Sequence, residues 1–341
     1  MTIIANFSGD LKIKSNFPKS VKVIDLQIRR KVNLFHDIKA LYSLINVFSK
    51  NKFELVHSIS PKAGLLAMSA GWLTGVPIRI HTFTGQVWAS KKGYKKFFLI
   101  LIDRLLSILA SHILVDSFSQ RQFLITNRIV KESKSTVLGR GSISGVDLEK
   151  FHINSSKRFE LRKQFGVHDD VTIILFVGRL NRDKGIVELS EAYDRIQNLP
   201  NKVELWLVGP DEEGFENIFK SMKNVKFFSF VSNPEVYMAA ADIFCLPSYR
   251  EGFGTSVIEA SALELPVICS DIYGLRDAFI DKKTGLSFRV NDIEDLKNKM
   301  SYLVENPKKI KQFGENGGIF VREKFSARFV SNCLLNFYLE I

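Results

Sequence analysis

Two glutamates eight positions apart, Glu251 and Glu259, bracket a glycine-rich turn in REGFGTSVIEA (250–260). Carboxylates at this spacing admit four readings: an acid–base pair for hydrolysis, a metal site, a grip on a hydroxyl-rich ligand, or ordinary charges on a helix surface. The pattern after Gly252-Phe253-Gly254 is helical from Thr255. The free amides and positive dipole end of such a helix, at Thr255 and Ser256, form an anion site, and the glycines let a phosphate approach the backbone. Glu251 then lies in the loop and Glu259 about one turn inside the helix. That does not set them across roughly 5–9 Å of open space as a hydrolytic pair requires; it lets them flank one elongated ligand. A carboxylate accepts hydrogen bonds only and can take both hydroxyls of a ribose. This suits Glu259 to a ribose and Glu251 to a sugar. No metal site is expected, since no Asp-x-Asp or His cluster stands nearby.

A second charged group stands at GRLNRDKG (178–185). Arg179 and Lys184 leave a strand end together, with Gly178 and Gly185 permitting tight turns. A guanidinium binds a diphosphate through two parallel bonds and an ammonium binds it as a point charge. A solvated basic loop is the plainer alternative.

These residues need strand ends to hold them, and the second half of the chain supplies them. VTIILFVGR (171–179), VELWLVG (203–209), VKFFSF (225–230), IFCLPS (243–248), PVICSD (266–271) and GLSFR (285–289) read as strands. Between them KGIVELSEAYDRIQ (184–197), DEEGFENIFKSM, PEVYMAAA and TSVIEASALE (255–264) read as helices, the first with Ile186, Leu189, Ala192 and Ile196 on one face. Continuous apolar strands alternating with helices predict a parallel sheet covered on both faces, a doubly wound α/β domain. The first half repeats the pattern less sharply, with strands at TIIANF (2–7), VKVIDL (21–26), FELVHSIS (53–60), IRIHTF (78–83) and HILVDS (112–117), and an amphipathic helix at 35–50. The polar stretch 147–170 divides the two patterns. The domains are therefore expected at 1–150 and 151–320, with a helical tail at 321–341 that crosses back to the first. In such sheets ligands bind at the carboxyl ends of the strands.

The 341 residues suffice for two such domains, and 45% hydrophobic with 25% charged residues fits a globular chain. Three scattered cysteines match no zinc spacing and point to buried thiols in a reducing compartment. MTIIANFSGD has neither the basic start nor the apolar core of a leader, and no run reaches about 20 apolar residues. Charge is uneven: residues 1–150 hold 23 Lys and Arg against 9 Asp and Glu, or +14, whereas 151–341 hold 25 against 27, or −2. The first half is thus expected to meet an anionic membrane surface or a phosphate-rich ligand. Dispersed basic residues without a recognition motif argue against nucleic acid. KKGYKKFFLILIDRLLSILASH (91–112) joins lysines to an amphipathic stretch that Asp103 and Arg104 interrupt, so it reads as a helix on a bilayer or a core helix, not a spanning one.

Taken together, FVGRLNRDKG, LVGPDEEG, AAADIFCLPSYREGFGTSVIEASALELPVICSD, KTGLSFR, LVHSISPKAGLLA (55–67) and GVDLEKF (145–151) resemble the retaining glycosyltransferases of family four, bacterial capsule and O-antigen type. The likeness runs over nearly the whole chain and is most specific between 171 and 290. It implies the α/β GT-B fold, two facing Rossmann-like domains with a cleft between them. It also implies a nucleotide-diphospho-sugar donor on the second domain, in particular a UDP-sugar, and a lipid-linked saccharide acceptor on the first. No cofactor and no metal are required. Arg179 and Lys184 would neutralise the leaving diphosphate. Glu259 would hold the ribose, with Gly178, Gly252, Phe253, Gly254, Thr255 and Ser256 around the donor, and Glu251 would contact the donor sugar near the reacting carbon. The enzyme would work in the cytoplasm, peripherally at the inner face of the bacterial membrane.

Two departures from the family pattern stand out. TIIANF matches the family's second strand, so the first strand, glycine-rich turn and helix are expected to be missing. Where many members have a His before a glycine, this chain has Thr84. Thr84, Gly85 and Gln86 in HTFTGQVW still follow a strand end and are expected in the cleft, with His81 and Lys62 as further acceptor-side candidates. Buried core is the other reading for His81 and for His57. The rival functions are a nucleotide-sugar epimerase of the same fold and a non-catalytic nucleotide-sugar-binding relative.

Overall fold

A computed structural model describes residues 1–7, 17–28, 33–197, 199–200 and 202–341. Contacts gather the chain into two units. The first holds Met1–Thr84, Lys92–Val115 and Leu124–Thr136; the second holds Gly85–Lys91, Asp116–Phe123 and Val137–Ile341.

In the first unit β1 (Thr2–Ala5) pairs in parallel with β2 (Lys22–Asp25). A separate parallel sheet runs in the order β3 (Leu55–Ser58), β4 (Ile78–Phe83), β5 (His112–Val115), β6 (Ser135–Thr136). The sequence pattern predicts one continuous sheet here. Instead β1 and β2 form a ribbon of their own, and no residue of either is fully buried, whereas β4 buries four of its six residues, as a strand covered on both faces must. The Leu34–Asn51 helix starts at Asn33, whose side chain accepts from His36 N, and buries Ala40, Leu44 and Phe48 at four-residue spacing. It packs on the Pro61–Leu73 helix, which in turn packs on Gly93–Leu109.

The second unit carries the larger core. Its six strands are all parallel, in the order β12 (Gly285–Phe288), β11 (Val267–Ser270), β10 (Ile243–Leu246), β7 (Thr172–Val177), β8 (Val203–Val208), β9 (Val225–Phe228). Counted within the unit this is the 3-2-1-4-5-6 order, which reverses direction between β7 and β10. The strands other than the half-buried edge strand β9 are buried nearly throughout, β10 and β11 wholly so. That is why they read as unbroken apolar runs. The Ile186–Asp194 helix buries Ile186, Leu189 and Ala192, the predicted face. The DEEGFENIFKSM stretch is helical only over Glu216–Lys220, because Asp211 accepts the amides of Glu213, Gly214 and Glu216 and holds the segment before it as a turn.

The Ser155–Gln164 helix is anchored to this sheet by Asp242, just ahead of β10. One carboxylate oxygen accepts from Ile173 N at 2.8 Å and Arg162 Nη1 at 3.1 Å, and the other from Arg158 Nη2. Beyond the sheet, Pro307–Lys324 packs on the Thr255–Ala262 helix, and Ala327–Glu340 ends the chain within the same unit.

Candidate active site

The reversal between β7 and β10 sets two loops side by side at the strands' carboxyl ends. β7 runs out into Gly178-Arg179, and Asn181 accepts from Lys184 N to form one turn of 3₁₀ helix. The chain then turns at Gly185, whose φ is +69°. A Cβ at Gly185 would lie 2.0 Å from the Pro247 carbonyl oxygen in the loop after β10. Only glycine satisfies both the left-handed backbone and this approach. Tyr249 N donates to Asp183 O at 2.9 Å and joins the loops a second time.

Across this junction Lys184 Nζ makes an ion pair with Glu251 Oε1. Ser248 Oγ donates to the same carboxylate oxygen at 2.8 Å. Both charged side chains are mostly buried. Arg179 instead grips Glu212 through both carboxylate oxygens at 3.0 Å, and Asn181 Nδ2 holds Glu212 Oε2 at 2.7 Å. The structure therefore brings Glu251 and Lys184 together and gives Arg179 a carboxylate of its own.

Gly254, at φ +76°, starts the Thr255–Ala262 helix, and no side chain caps that end. Its first amides are left for another acceptor. Phe253 is buried, with its ring 5.2 Å from that of Phe325. Gly252 N and the Glu251 carbonyl carbon would lie 2.9 Å from a Cβ at Gly85, so Gly85 rests directly on the peptide between them. Gly274 closes on the Glu251 carbonyl from another side. Gln86 is buried; its N donates to Tyr273 Oη at 3.4 Å and its Oε1 accepts from Gln120 Nε2 at 3.1 Å. Glu259, half-buried in the helix, has its carboxyl pKa raised by burial, with the Lys150 ammonium working against the rise and the Glu235 carboxylate with it.

The candidates in the first unit lie in other surroundings. Lys62 pairs with Asp37 at 2.5 Å. His81 is 1% exposed, shares a hydrogen bond of 2.9 Å with Ser58 Oγ, and meets Phe83 edge to face. A Cβ on Gly64 would lie 2.4 Å from its ring. His57 bonds Thr82 Oγ1 at 2.7 Å. Burial lowers the pKa of these rings, to about 4 for His57 and about 3 for His81, the latter helped by its neighbour, so both are neutral at pH 7. Thr84 follows β4, half-buried. Among the described residues no three His, Cys, Asp or Glu side chains cluster as metal ligands would.

Sequence reasoning missed Ser248, Glu212, Asn181 and Gln120. Ser248 had a local signal, as the residue at which β10 gives way to the loop. Glu212 and Gln120 had none, since each meets its partner across more than 30 residues.

Residues 157–318 match the family model of glycosyl transferases group 1, and residues 16–141 match a glycosyl transferase 4-like domain. The capsular polysaccharide biosynthesis glycosyltransferase CapM of Staphylococcus aureus is 33% identical over 96% of this chain and 89% of its own length. The Escherichia coli UDP-Gal:alpha-D-GlcNAc-diphosphoundecaprenol alpha-1,3-galactosyltransferase is 28% identical over 79% of this chain and 71% of its own. Among solved structures, sucrose-phosphate synthase from Thermosynechococcus elongatus superposes with a TM-score of 0.81 at 22% identity, covering 99% of this chain and 88% of that one. Anabaena HepE in complex with UDP-glucose gives 0.77 at 18%, covering 94% and 86%. At these identities the structural likeness shows the fold, which is GT-B.

Proposed function

The chain belongs to the group 1 glycosyl transferases, and on that premise we propose that it moves a sugar, with retention, from a UDP-sugar to a lipid-linked saccharide in bacterial surface-polysaccharide synthesis. The observation that carries this proposal is the Lys184–Glu251–Ser248 contact at the strand-order reversal, beside the uncapped helix that bears Glu259. The capsular and diphosphoundecaprenol-directed relatives support the acceptor class, and a fold shared with a UDP-glucose-binding enzyme supports the donor.

The chemistry follows from the charges. Cleavage of the sugar–phosphate bond leaves negative charge on the diphosphate. Lys184, Arg179 and the amides of Thr255 and Ser256 offset it in place. Arg179, whose Nη1 donates to both Glu212 oxygens, exchanges that carboxylate for a phosphate, to which its guanidinium binds bidentate. Glu259 takes the ribose hydroxyls. Glu251, held by Lys184 and Ser248, faces the donor sugar. With no protein nucleophile invoked, the acceptor oxygen bonds to the sugar carbon on the face the phosphate leaves, and the departing phosphate oxygen takes the acceptor's proton. Positive groups of the chain itself supply the neutralising charge, so no metal is required.

The first unit would meet the cytoplasmic face of the membrane. Its Gly93–Leu109 helix exposes Tyr94, Phe97, Phe98, Leu101, Leu105 and Ile108, with Lys91, Lys92 and Lys95 at its start. Among the described residues no helix is long and apolar enough to cross a membrane. An apolar face with lysines at one end fits an anionic bilayer surface.

The test is a thermal-shift panel with UDP, GDP, ADP, CMP and their sugars on the wild type and Arg179→Ala, followed by transfer to lipid-diphosphate-linked saccharides. Stabilisation by UDP that the variant loses is expected. No response to any nucleotide would remove the donor assignment.

A further inference from the structure

Asp116 stands where β5 ends, and neither the diphosphate chemistry nor the fold uses its side chain. It is 4% exposed, and its Oδ1 is buried without a hydrogen-bond partner among the described residues. Only its backbone is engaged: N donates to Gln120 Oε1 at 3.0 Å, and O accepts from Ser142 N at 2.8 Å. A buried polar atom left unpaired costs stability, so its retention calls for a partner that arrives with the substrate. Burial alone raises its pKa to about 8, with no contribution from a charged neighbour, which keeps the carboxyl protonated at neutral pH.

Its surroundings say what such a partner would be. Gln120 Nε2 donates onward to Gln86 Oε1, and Gln86 follows Gly85, which rests on the Glu251–Gly252 peptide. On another side, a Cβ at Gly141 would meet both the Asp116 carbonyl oxygen, at 2.5 Å, and the Phe253 ring, at 2.9 Å. Asp116 is thus tied to the glycine turn through two separate sets of contacts. Gln120, Ser142 and Gly141 meet its backbone, none of them charged, and no charged group acts on the carboxyl itself. A phosphate would need a cation at this place. A protonated carboxyl instead offers a donor and an acceptor without charge, as a sugar hydroxyl does.

We infer that Asp116 is an acceptor-binding residue whose free carboxyl takes up a hydroxyl of the saccharide to be glycosylated. This rests on the transferase reading above.

The experiment measures initial rates with a lipid-diphosphate-linked N-acetylhexosamine as acceptor probe, on the wild type, Asp116→Ala and Asp116→Asn, with UDP thermal shifts alongside. In Asp116→Ala the acceptor KM is expected to rise at least tenfold, with the donor KM and the UDP shift unchanged. Asp116→Asn, which keeps a neutral donor and acceptor, restores most of the loss. The wild-type acceptor KM rises between pH 7 and 9 as the carboxyl ionises, and that of Asp116→Asn stays level. An Asp116→Ala enzyme with wild-type acceptor KM would overturn the inference, as would loss of the UDP shift in it. If the alanine variant does not fold, the pH comparison decides, and a level wild-type acceptor KM overturns it. Failure of the transferase reading looks different: the wild type itself then shows neither transfer nor a nucleotide shift.

Discussion

Lys184 and Glu251 neutralise each other across 67 positions of sequence, and neither was identifiable as the other's partner from its neighbours in the chain. What local pattern did reveal was residue type at a strand end: a cation pair after β7, a carboxylate and glycines after β10. The partners of those groups came from packing. Arg179 shows the difference. Its side chain reads from the sequence as a diphosphate ligand; in the structure it rests on Glu212, a contact that the donor role proposed above requires to break. Arg179→Ala should lower kcat on the order of 100-fold, about 3 kcal/mol, as the loss of one charged contact to a developing anion does; wild-type turnover would remove Arg179 from the site. The histidines make a second residue-scale case. His57 and His81 titrate at about 4 and about 3 in the fold and near 6.5 when unfolded. The folded state stays neutral while the unfolded chain takes up protons, so their stability contribution is complete above pH 6.5 and falls as pH drops toward 4. Calorimetry from pH 7 to 4 should show the first unit losing stability, and His57→Asn should lessen the loss. A flat profile for the wild type would contradict the buried neutral pair.

At the scale of elements the strands and the amphipathic helices were legible because their periods are local properties of the chain. Two elements depart from that pattern for visible reasons. The 211–222 stretch is cut short by Asp211 accepting three amides, and β1 with β2 forms a ribbon apart from the other four strands of its unit. The loop at Gly185 gives an element-scale prediction. Gly166 and Gly185 have nearly the same φ, +67° and +69°, but a Cβ at Gly166 would meet nothing within 4 Å, whereas at Gly185 it would strike Pro247 O. Gly166→Ala should cost about 1–2 kcal/mol for the left-handed backbone alone. Gly185→Ala should cost clearly more and lower kcat as well, since it pushes the Lys184 loop off the Glu251 loop. Equal melting temperatures for the two variants would refute a contact that glycine alone allows.

For the whole molecule, charge is the property that composition states most directly. Residues 1–150 carry +14 and the rest −2, and the first unit adds an exposed apolar helix face to that charge. Binding to vesicles containing anionic lipid should therefore weaken with rising salt, in keeping with a screening length of about 8–10 Å near physiological ionic strength. It should also fall severalfold when Phe97 and Phe98 are replaced by Ser. Binding that ignores both lipid charge and salt would count against the surface proposed here.

Sequence alone determined the α/β class, the parallel strands, the glycine turn before a helix start, and the residue types waiting at the strand ends. Each of these depends on neighbours a few positions away. Only the tertiary structure decided that β7 and β10 lie side by side, that Gly185 seats one loop on the other, that Lys184 meets Glu251 while Arg179 meets Glu212, and that Asp116 is buried with an oxygen to spare. Strand order and burial follow from how separated segments share one core, and the period of a single segment carries no record of that.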